Sequence, residues 1–213
     1  MNVLSISGDG SLGHPAEART GDAMWRQQRY AGLVDHLTVV VVAQGNVASG
    51  ETVDGRLTVI RVCRRTRRQA ARAAVARAVE ACRAARVQCV ATQDPFTTGW
   101  VGWQVARRTG LPLNVHIPAD MLFNPRFLAE HPRNWIKHAL GWWLASRAAT
   151  IRVASHAERK RLIRWGMDPN KIWVVPFLIN IERFVGGPAA SSRPPTVGFL
   201  GRLAAQKDPA LFL

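Results

Sequence analysis

The sequence predicts an α/β domain built on a doubly wound parallel sheet. Short runs rich in Val and Ile recur along the chain, and several of them are apolar throughout instead of alternating with polar residues. Such runs indicate strands that are covered on both faces, as in a parallel sheet between helix layers. Helix-length segments separate these runs, and the repeated order of strand and helix favours right-handed βαβ units.

Each element can be placed from its local pattern. The predicted strands are residues 2–7, 37–43, 57–62, 87–92, 113–117, 150–154 and 171–176, and the predicted helices are residues 21–34, 67–86, 98–109, 133–147 and 156–165. Gly110 before Pro112 indicates the end of one helix, and Ser155 with Glu158 has the spacing of a capping box that begins the last one.

Beyond residue 184 the chain changes character. Residues 185–195 are rich in glycine, proline and serine, which indicates an interdomain linker, and residues 196–200 predict a new strand. We therefore expect a first domain over residues 1–184 and, over 196–213, only the first strand of a second domain. One strand and a helical turn cannot bury their own apolar face.

Charge and cysteine content narrow the partners. The formal charge is +15, with 29 Lys and Arg against 14 Asp and Glu, which favours phosphate-bearing ligands or anionic lipid. Three unpaired cysteines favour a reducing compartment. No signal peptide and no run of about 18 apolar residues is visible, so we expect a cytoplasmic protein with, at most, peripheral contact at the inner face of a membrane. No zinc-finger or RNA-binding motif accompanies the basic residues, so we expect no nucleic-acid partner.

A glycine-rich loop follows the first predicted strand. Gly8, Gly10 and Gly13 match the G-x-G-x-x-G pattern of dinucleotide sites, in which a helix N-terminus faces the pyrophosphate. The next helix begins only near Gly21, and the second strand ends at Gln44 without the carboxylate that would hold a ribose. We favour a flexible loop that lines a cleft.

Polar residues also follow two later strands. His116 and Asp120 lie at the end of the strand 113–117, and Asp94 follows the preceding strand. Ligands of open α/β sheets bind at these carboxyl ends, where His116 could steer a substrate hydroxyl and the two aspartates could form the rim of a cleft. A lone loop histidine is more often structural, and both interpretations stay open.

Two basic features allow alternative interpretations. Residues 61–86 hold nine arginines and one glutamate. Together with Trp135, Trp142 and Trp143, these arginines could contact an anionic bilayer. The helical spacing of the tryptophans instead favours a position in the protein core. Arg202 and Lys207 follow Gly201 and could grip a diphosphate, although spacing alone favours solvated charges. No G-x-S-x-G elbow, Walker loop or H-E-x-x-H motif occurs.

Three stretches together resemble the retaining glycosyltransferases of family four, which have the GT-B fold. They are IRVASHAERKRL at 151–162 leading to residues 171–184, VGFLGRL at 197–203 with Lys207, and GDAMWRQQRYA at 21–31. The resemblance implies two Rossmann-like domains facing across a cleft. The first receives the acceptor and the second, of which this sequence holds only the start, binds a nucleotide-diphosphate sugar.

The resemblance also implies roles for particular residues. It implies donor diphosphate binding by Gly201, Arg202 and Lys207, a catalytic position near the transferred sugar for His116, and an acceptor and phosphate loop at Gly8, Asp9 and Gly10. Cationic side chains and helix N-termini would neutralise the leaving diphosphate, so we expect no metal and no cofactor besides the sugar nucleotide.

The implied function is transfer of a hexose from a UDP- or GDP-sugar to a glycan or lipid-linked acceptor in cell-envelope or exopolysaccharide synthesis. The family's later pair of glutamates would lie beyond Leu213, so we expect the 213-residue chain to be inactive alone. The alternative is a non-catalytic remnant that binds a glycan or a partner.

Overall fold

A computed structural model of the chain describes residues 1–12, 22–45, 49–118, 122–185 and 198–199. The chain divides into two compact units, Met1–Ile179 and Asn180–Leu213. The first unit contains the sheet and its helices. The described part of the second contains one short 3₁₀ helix, Ile181–Phe184. Of the strand predicted over 196–200, only residues 198 and 199 are described, and they have no regular secondary structure.

An eight-stranded sheet forms the first unit and confirms the predicted doubly wound architecture. Its strands are β1 (Asn2–Ser7), β2 (His36–Gln44), β3 (Gly50–Asp54), β4 (Leu57–Arg64), β5 (Cys89–Thr92), β6 (Leu113–Ile117), β7 (Thr150–Val153) and β8 (Ile172–Val174). The spatial order is β3-β4-β2-β1-β5-β6-β7-β8, and only the edge strand β3 is antiparallel to its neighbour. Its helices are α1 (Ala23–Ala31), α2 (Arg67–Ala84), α3 (Thr97–Thr109), α4 (Pro125–Glu130), α5 (Arg133–Arg147) and α6 (His156–Arg164).

The strand order reverses direction at β1. From β1 the chain first proceeds to β2 and β4 on one side, and it then crosses through α2 to β5 and continues to β8 on the other side. The point between β1 and β5 is therefore the topological switch point, outside which open α/β sheets bind their ligands.

Helices cover the two faces of the sheet unequally. Residues of α2, α3, α5 and α6 share one apolar cluster with alternate residues of the strands, such as Leu4 and Ile6. Of the described helices, α1 alone contributes to the cluster on the opposite face, which includes Val39 and Val41. Since strand residues alternate between faces, that second face also carries Asn114 and His116 of β6.

Close helix packing fixes the position of α3. A Cβ atom added at Gly102 would lie 2.2 Å from Cγ2 of Thr92 on β5, and one added at Gly99 would lie 2.9 Å from the carbonyl oxygen of Asp94. The absence of side chains at these two positions lets the first turns of α3 approach the end of β5.

Besides the short 3₁₀ helices, one strand and one α-helix were not predicted. The edge strand β3 is fully exposed and therefore lacks an apolar signal; a two-residue turn that contains Gly55, at φ +56°, joins it to β4. The α-helix that was not predicted is the short α4. It begins soon after residues 119–121, which lie outside the described residues. The predicted capping box of Ser155 and Glu158 is confirmed, and Thr66 with Gln69 forms a second one at the start of α2.

The preference for a tryptophan core on α5 is wrong. Trp135 is 61% exposed and Trp142 is 46% exposed. Only Trp143 packs inward, with its ring 4.8 Å from that of Trp103. The buried face of α5 consists instead of smaller residues such as Gly141, where a Cβ atom would lie 2.9 Å from the side chain of Leu122. Within the described ranges no helix is long and apolar enough to cross a bilayer.

Candidate active site

The loops that follow β1 and β5 are held together at the switch point by Gln93. Its side-chain oxygen Oε1 accepts hydrogen bonds from Oγ of Ser7 at 2.7 Å and from the backbone N–H of Gly8 at 2.8 Å. Its own N–H donates to the carbonyl of Ile6 at 3.0 Å. Both loops therefore leave the sheet at one place and in a fixed relation.

The loop of Gly8, Asp9 and Gly10 has a defined shape. Oδ1 of Asp9 accepts hydrogen bonds from the N–H of Ser11 at 3.1 Å and from its hydroxyl at 2.7 Å. The Asp9 carboxylate therefore orders the loop itself. A Cβ atom at Gly8 would lie 3.6 Å from Cγ2 of Thr98, so the loop backbone passes close to the start of α3, whereas nothing lies within 4 Å of one at Gly10 among the described atoms.

Asp94 shapes the opposite side of the same opening. Its Oδ1 accepts a hydrogen bond from the N–H of Phe96 at 2.7 Å, and its own N–H donates to Oγ1 of the buried Thr98 at 2.9 Å. The Thr98 hydroxyl donates back to the Asp94 carbonyl at 3.0 Å. These bonds begin α3 directly after β5.

A cavity of 830 Å³ opens at the carboxyl ends of these strands, within the usual size range of small-molecule sites. Gly8 and Asp94 line it, as do the apolar side chains of Phe96 and Trp100. Four cations also line it, namely Arg67, Arg68 and Arg72 from α2 and Lys137 from α5. We call it the basic cavity.

Sequence reasoning identified α2 as arginine-rich but missed that its first turns line this opening. The start of α2 could have been located from Thr66 and Gln69, because a Thr followed three residues later by a Gln has the spacing of a capping box, which marks where a helix begins. The first turn of α2 follows β4 and therefore lies at the carboxyl edge of the sheet, as do the loops after β1 and β5.

His116 lies in a second, smaller cavity of 220 Å³ on the α1 face of the sheet. The side chain is only 7% exposed, and its Nε2 has no hydrogen-bond partner within the part of the chain that the structure describes. Burial, together with the positive charge of Arg152, lowers the pKa of the imidazole to about 4. His116 is therefore neutral near pH 7, and the ring of Phe177 lies 5.3 Å away.

The structure thus sorts the candidate residues into two groups on either side of the loop after β1. Gly8 and Asp94 line the basic cavity, whereas Asp9 and His116 line the smaller one. Gly10, although described, lines neither cavity. The other candidates, Asp120, Gly201, Arg202 and Lys207, lie outside the described residues. Among the residues that are described, no group of three or more His, Cys, Asp or Glu could hold a metal ion.

Several solved structures resemble this fold. HepE from Anabaena, solved with UDP-glucose, is 17% identical and superposes with a TM-score of 0.60 over 88% of this chain and 47% of its own. Sucrose-phosphate synthase from Thermosynechococcus elongatus is 14% identical, with a TM-score of 0.58 over 85% of this chain and 49% of its own. The lipopolysaccharide outer core galactosyltransferase WaaB is 11% identical, with a TM-score of 0.54 over 91% and 50%.

These likenesses establish the fold and confirm the resemblance to GT-B glycosyltransferases. The chain spans about half the length of each of the three proteins. No curated protein sequence gives a significant match. The family model for the glycosyl transferase 4-like domain matches residues 22–177, which include seven of the eight strands and most of the residues that line the two cavities, but not β1 and the loop after it. The chain therefore belongs to the family of glycosyl transferase 4-like domains.

Proposed function

We propose that this chain forms the acceptor-side domain of an enzyme that transfers a hexose from a UDP- or GDP-hexose to a glycan or lipid-linked acceptor in cell-envelope or exopolysaccharide synthesis. The observation that carries the proposal is the 830 Å³ cavity at the switch point of a sheet that belongs to a glycosyltransferase family. HepE, one of the similar structures, was solved with UDP-glucose.

The proposed reaction retains the configuration at the anomeric carbon and needs no metal. The bond from that carbon to the diphosphate breaks, the acceptor hydroxyl oxygen forms the new bond, and the hydroxyl proton leaves with the nucleoside diphosphate. The diphosphate gains negative charge as it departs, and fixed cations stabilise that charge. Arg202 and Lys207 are the cations that we assign to it, with Gly201 permitting close approach of the backbone.

His116 is the residue that we assign to the transferred sugar. A buried neutral imidazole cannot serve as a counterion, but its unpartnered Nε2 can exchange a hydrogen bond with a sugar hydroxyl. Asp94, which lines the basic cavity and not the cavity of His116, and Asp120 from the loop after β6 are the residues that we assign to the rim of the acceptor cleft.

Removal of the proposed diphosphate cations should abolish donor turnover. In the longest natural protein that contains this chain, Arg202→Ala and Lys207→Ala should each lower the hydrolysis of UDP- or GDP-hexose by about 10²–10³-fold, the usual cost of removing one electrostatic stabiliser. The matched control is Arg83→Ala, an exposed cation near the end of α2. Nucleotide release measured with a panel of sugar nucleotides decides the matter. Equal rates in all variants would contradict the assignment.

Protonation of His116 should destabilise the fold. The pKa of 6.5 in the unfolded chain falls to about 4 on folding, so the unfolded state binds more protons between these values. The resulting stability is fully present above pH 6.5 and is lost as the pH falls towards 4. Urea unfolding should therefore show a larger loss of stability between pH 7.5 and 5 for the native chain than for His116→Asn. Parallel losses in the two proteins would show that the imidazole is not held neutral.

We also propose a cytoplasmic location at the inner face of a membrane. The three cysteines are free thiols. On α5, Trp135 and Ile136 are 61% and 72% exposed beside the exposed Lys137. Exposed aromatic rings beside cations are typical of helices that lie in the headgroup region.

Loss of these apolar side chains should weaken membrane binding. The double variant Trp135→Ser and Ile136→Ser should bind phosphatidylglycerol vesicles about tenfold more weakly in a sedimentation assay. The reason is that burial of a large apolar side chain away from water contributes about 1.5–3 kcal/mol. The control is Trp173→Ser, which alters a tryptophan that is 62% exposed on β8. Recovery of the native chain in the supernatant, with and without anionic vesicles, would refute the membrane contact.

A further inference from the structure

We propose that the basic cavity binds a phosphate group carried by the acceptor, so that the acceptor is a phosphomonoester or diphosphate and not a neutral sugar. This inference rests on the proposed transferase function, and it adds the chemical class of the second substrate.

The cations of the basic cavity have no carboxylate counterion among the described residues. Among the described residues, ion pairs join the N-terminus to Asp35 and join Arg77 to Glu51 and to Glu80. None of these involves Arg67, Arg68, Arg72 or Lys137. Asp94 is the one carboxylate among the described residues that line the cavity, and its Oδ1 accepts a hydrogen bond from the N–H of Phe96. A net positive charge therefore faces the opening.

The position of the arginines on α2 is unfavourable for the helix itself. Arg67 and Arg68 lie in its first turn, which contains no acidic residue, and the N-terminal end of a helix disfavours positive charge. Further along the same helix, Arg77 has two carboxylate partners. These cations lower the stability of the helix and have no carboxylate partner among the described residues, so we infer that their partner is an external anion.

Lys137 approaches the cavity from a different helix and is held in place. Its Nζ donates to Oδ1 of Asn134 at 3.2 Å, and the buried Asn134 side chain donates to the carbonyl of Phe127 at 2.7 Å. The cavity thus combines guanidinium groups from α2, which suit bidentate contact with phosphate oxygens, with an ammonium group from α5.

Apolar side chains complete the lining. Phe96, Trp100 and Leu140 line the same cavity as the cations. This combination fits a phosphate that is joined to a sugar ring or to a hydrocarbon chain, because aromatic and aliphatic walls bind either one. The donor phosphates are assigned above to Arg202 and Lys207.

The location also favours the acceptor. Gly8 lines the basic cavity, whereas its neighbours Ser7 and Asp9 line the cavity that holds His116. A phosphate among the arginines would therefore lie across the loop after β1 from the histidine that we assign to the transferred sugar.

The test is a binding titration of the chain at fixed ionic strength. The probes are glucose 1-phosphate, octyl phosphate below its micellar concentration, and neutral glucose. We expect both phosphates to bind and glucose to bind at least about tenfold more weakly. A preference for octyl phosphate over glucose 1-phosphate would point to a lipid phosphate, and the reverse preference would point to a soluble sugar phosphate.

Charge removal identifies the site. The double variant Arg68→Gln and Arg72→Gln should weaken phosphate binding by about 10- to 100-fold, since hydrogen bonds to charged groups are the strong ones. The matched control, Arg83→Gln with Arg164→Gln, removes the same charge from exposed positions on α2 and α6 and should change affinity less than twofold. The melting temperature of the Arg68 and Arg72 variant should not fall, because loss of the Arg68 charge relieves repulsion in the first turn of α2 and Arg72 is exposed.

Three results would overturn the inference. The first is equal affinity for glucose and glucose 1-phosphate, and the second is an equal loss of phosphate affinity in the control variant. The third is loss of binding to phosphatidylglycerol vesicles in the Arg68 and Arg72 variant while its phosphate binding is unchanged, which would assign the arginines to a membrane. Donor hydrolysis by the longer protein is measured separately. Hydrolysis without phosphate binding defeats this inference and leaves the transferase proposal. Phosphate binding without hydrolysis defeats the transferase proposal and with it the acceptor role of the site, and leaves only a phosphate-binding cavity.

Discussion

The hydrogen bonds from Ser7 and Gly8 to Gln93 join two loops that the chain would otherwise direct apart. Right-handed crossovers from β1 move towards β2 on one side, and those from β5 move towards β6 on the other. A gap at the switch point is the geometric consequence. Gln93 fixes the loop after β1 at that gap, and the close packing of α3 on β5 fixes the loop after β5.

The unequal covering of the sheet divides the chemistry between its two faces. The helices α2, α3 and α5 lie together on one face, so their cations and aromatic rings reach the basic cavity from the same side. His116 projects from the other face, where burial and Arg152 keep it uncharged. An anionic group and a neutral sugar hydroxyl would thus find separate environments on either side of one loop.

Much of the fold could be predicted from the sequence where local signals were strong. The bounds of β1, β6 and α5 match their apolar runs and caps, and Gly110 adopts the left-handed conformation, at φ +71°, that ends α3. Exposed β3 offered no apolar pattern. The spacing of Trp135 and Trp142 correctly placed them on one stripe of α5, but spacing cannot tell whether the stripe faces the core. The face of α5 that turns to the core is set by small residues such as Gly141, because the lack of a side chain there lets the helix approach Leu122 closely.

The candidate site was only partly predictable for a related reason. Carboxyl-end residues such as Asp94 and His116 could be identified because strand ends converge in any parallel sheet. The basic cavity could not, since it requires the start of α2 and the middle of α5 to face each other. The most direct measurement is anomalous diffraction from crystals soaked in tungstate, a tetrahedral anion like phosphate. We predict a peak within hydrogen-bonding distance of the guanidinium groups of Arg67, Arg68 or Arg72; peaks only at other arginines, with this cavity empty, would contradict an anion site at the switch point.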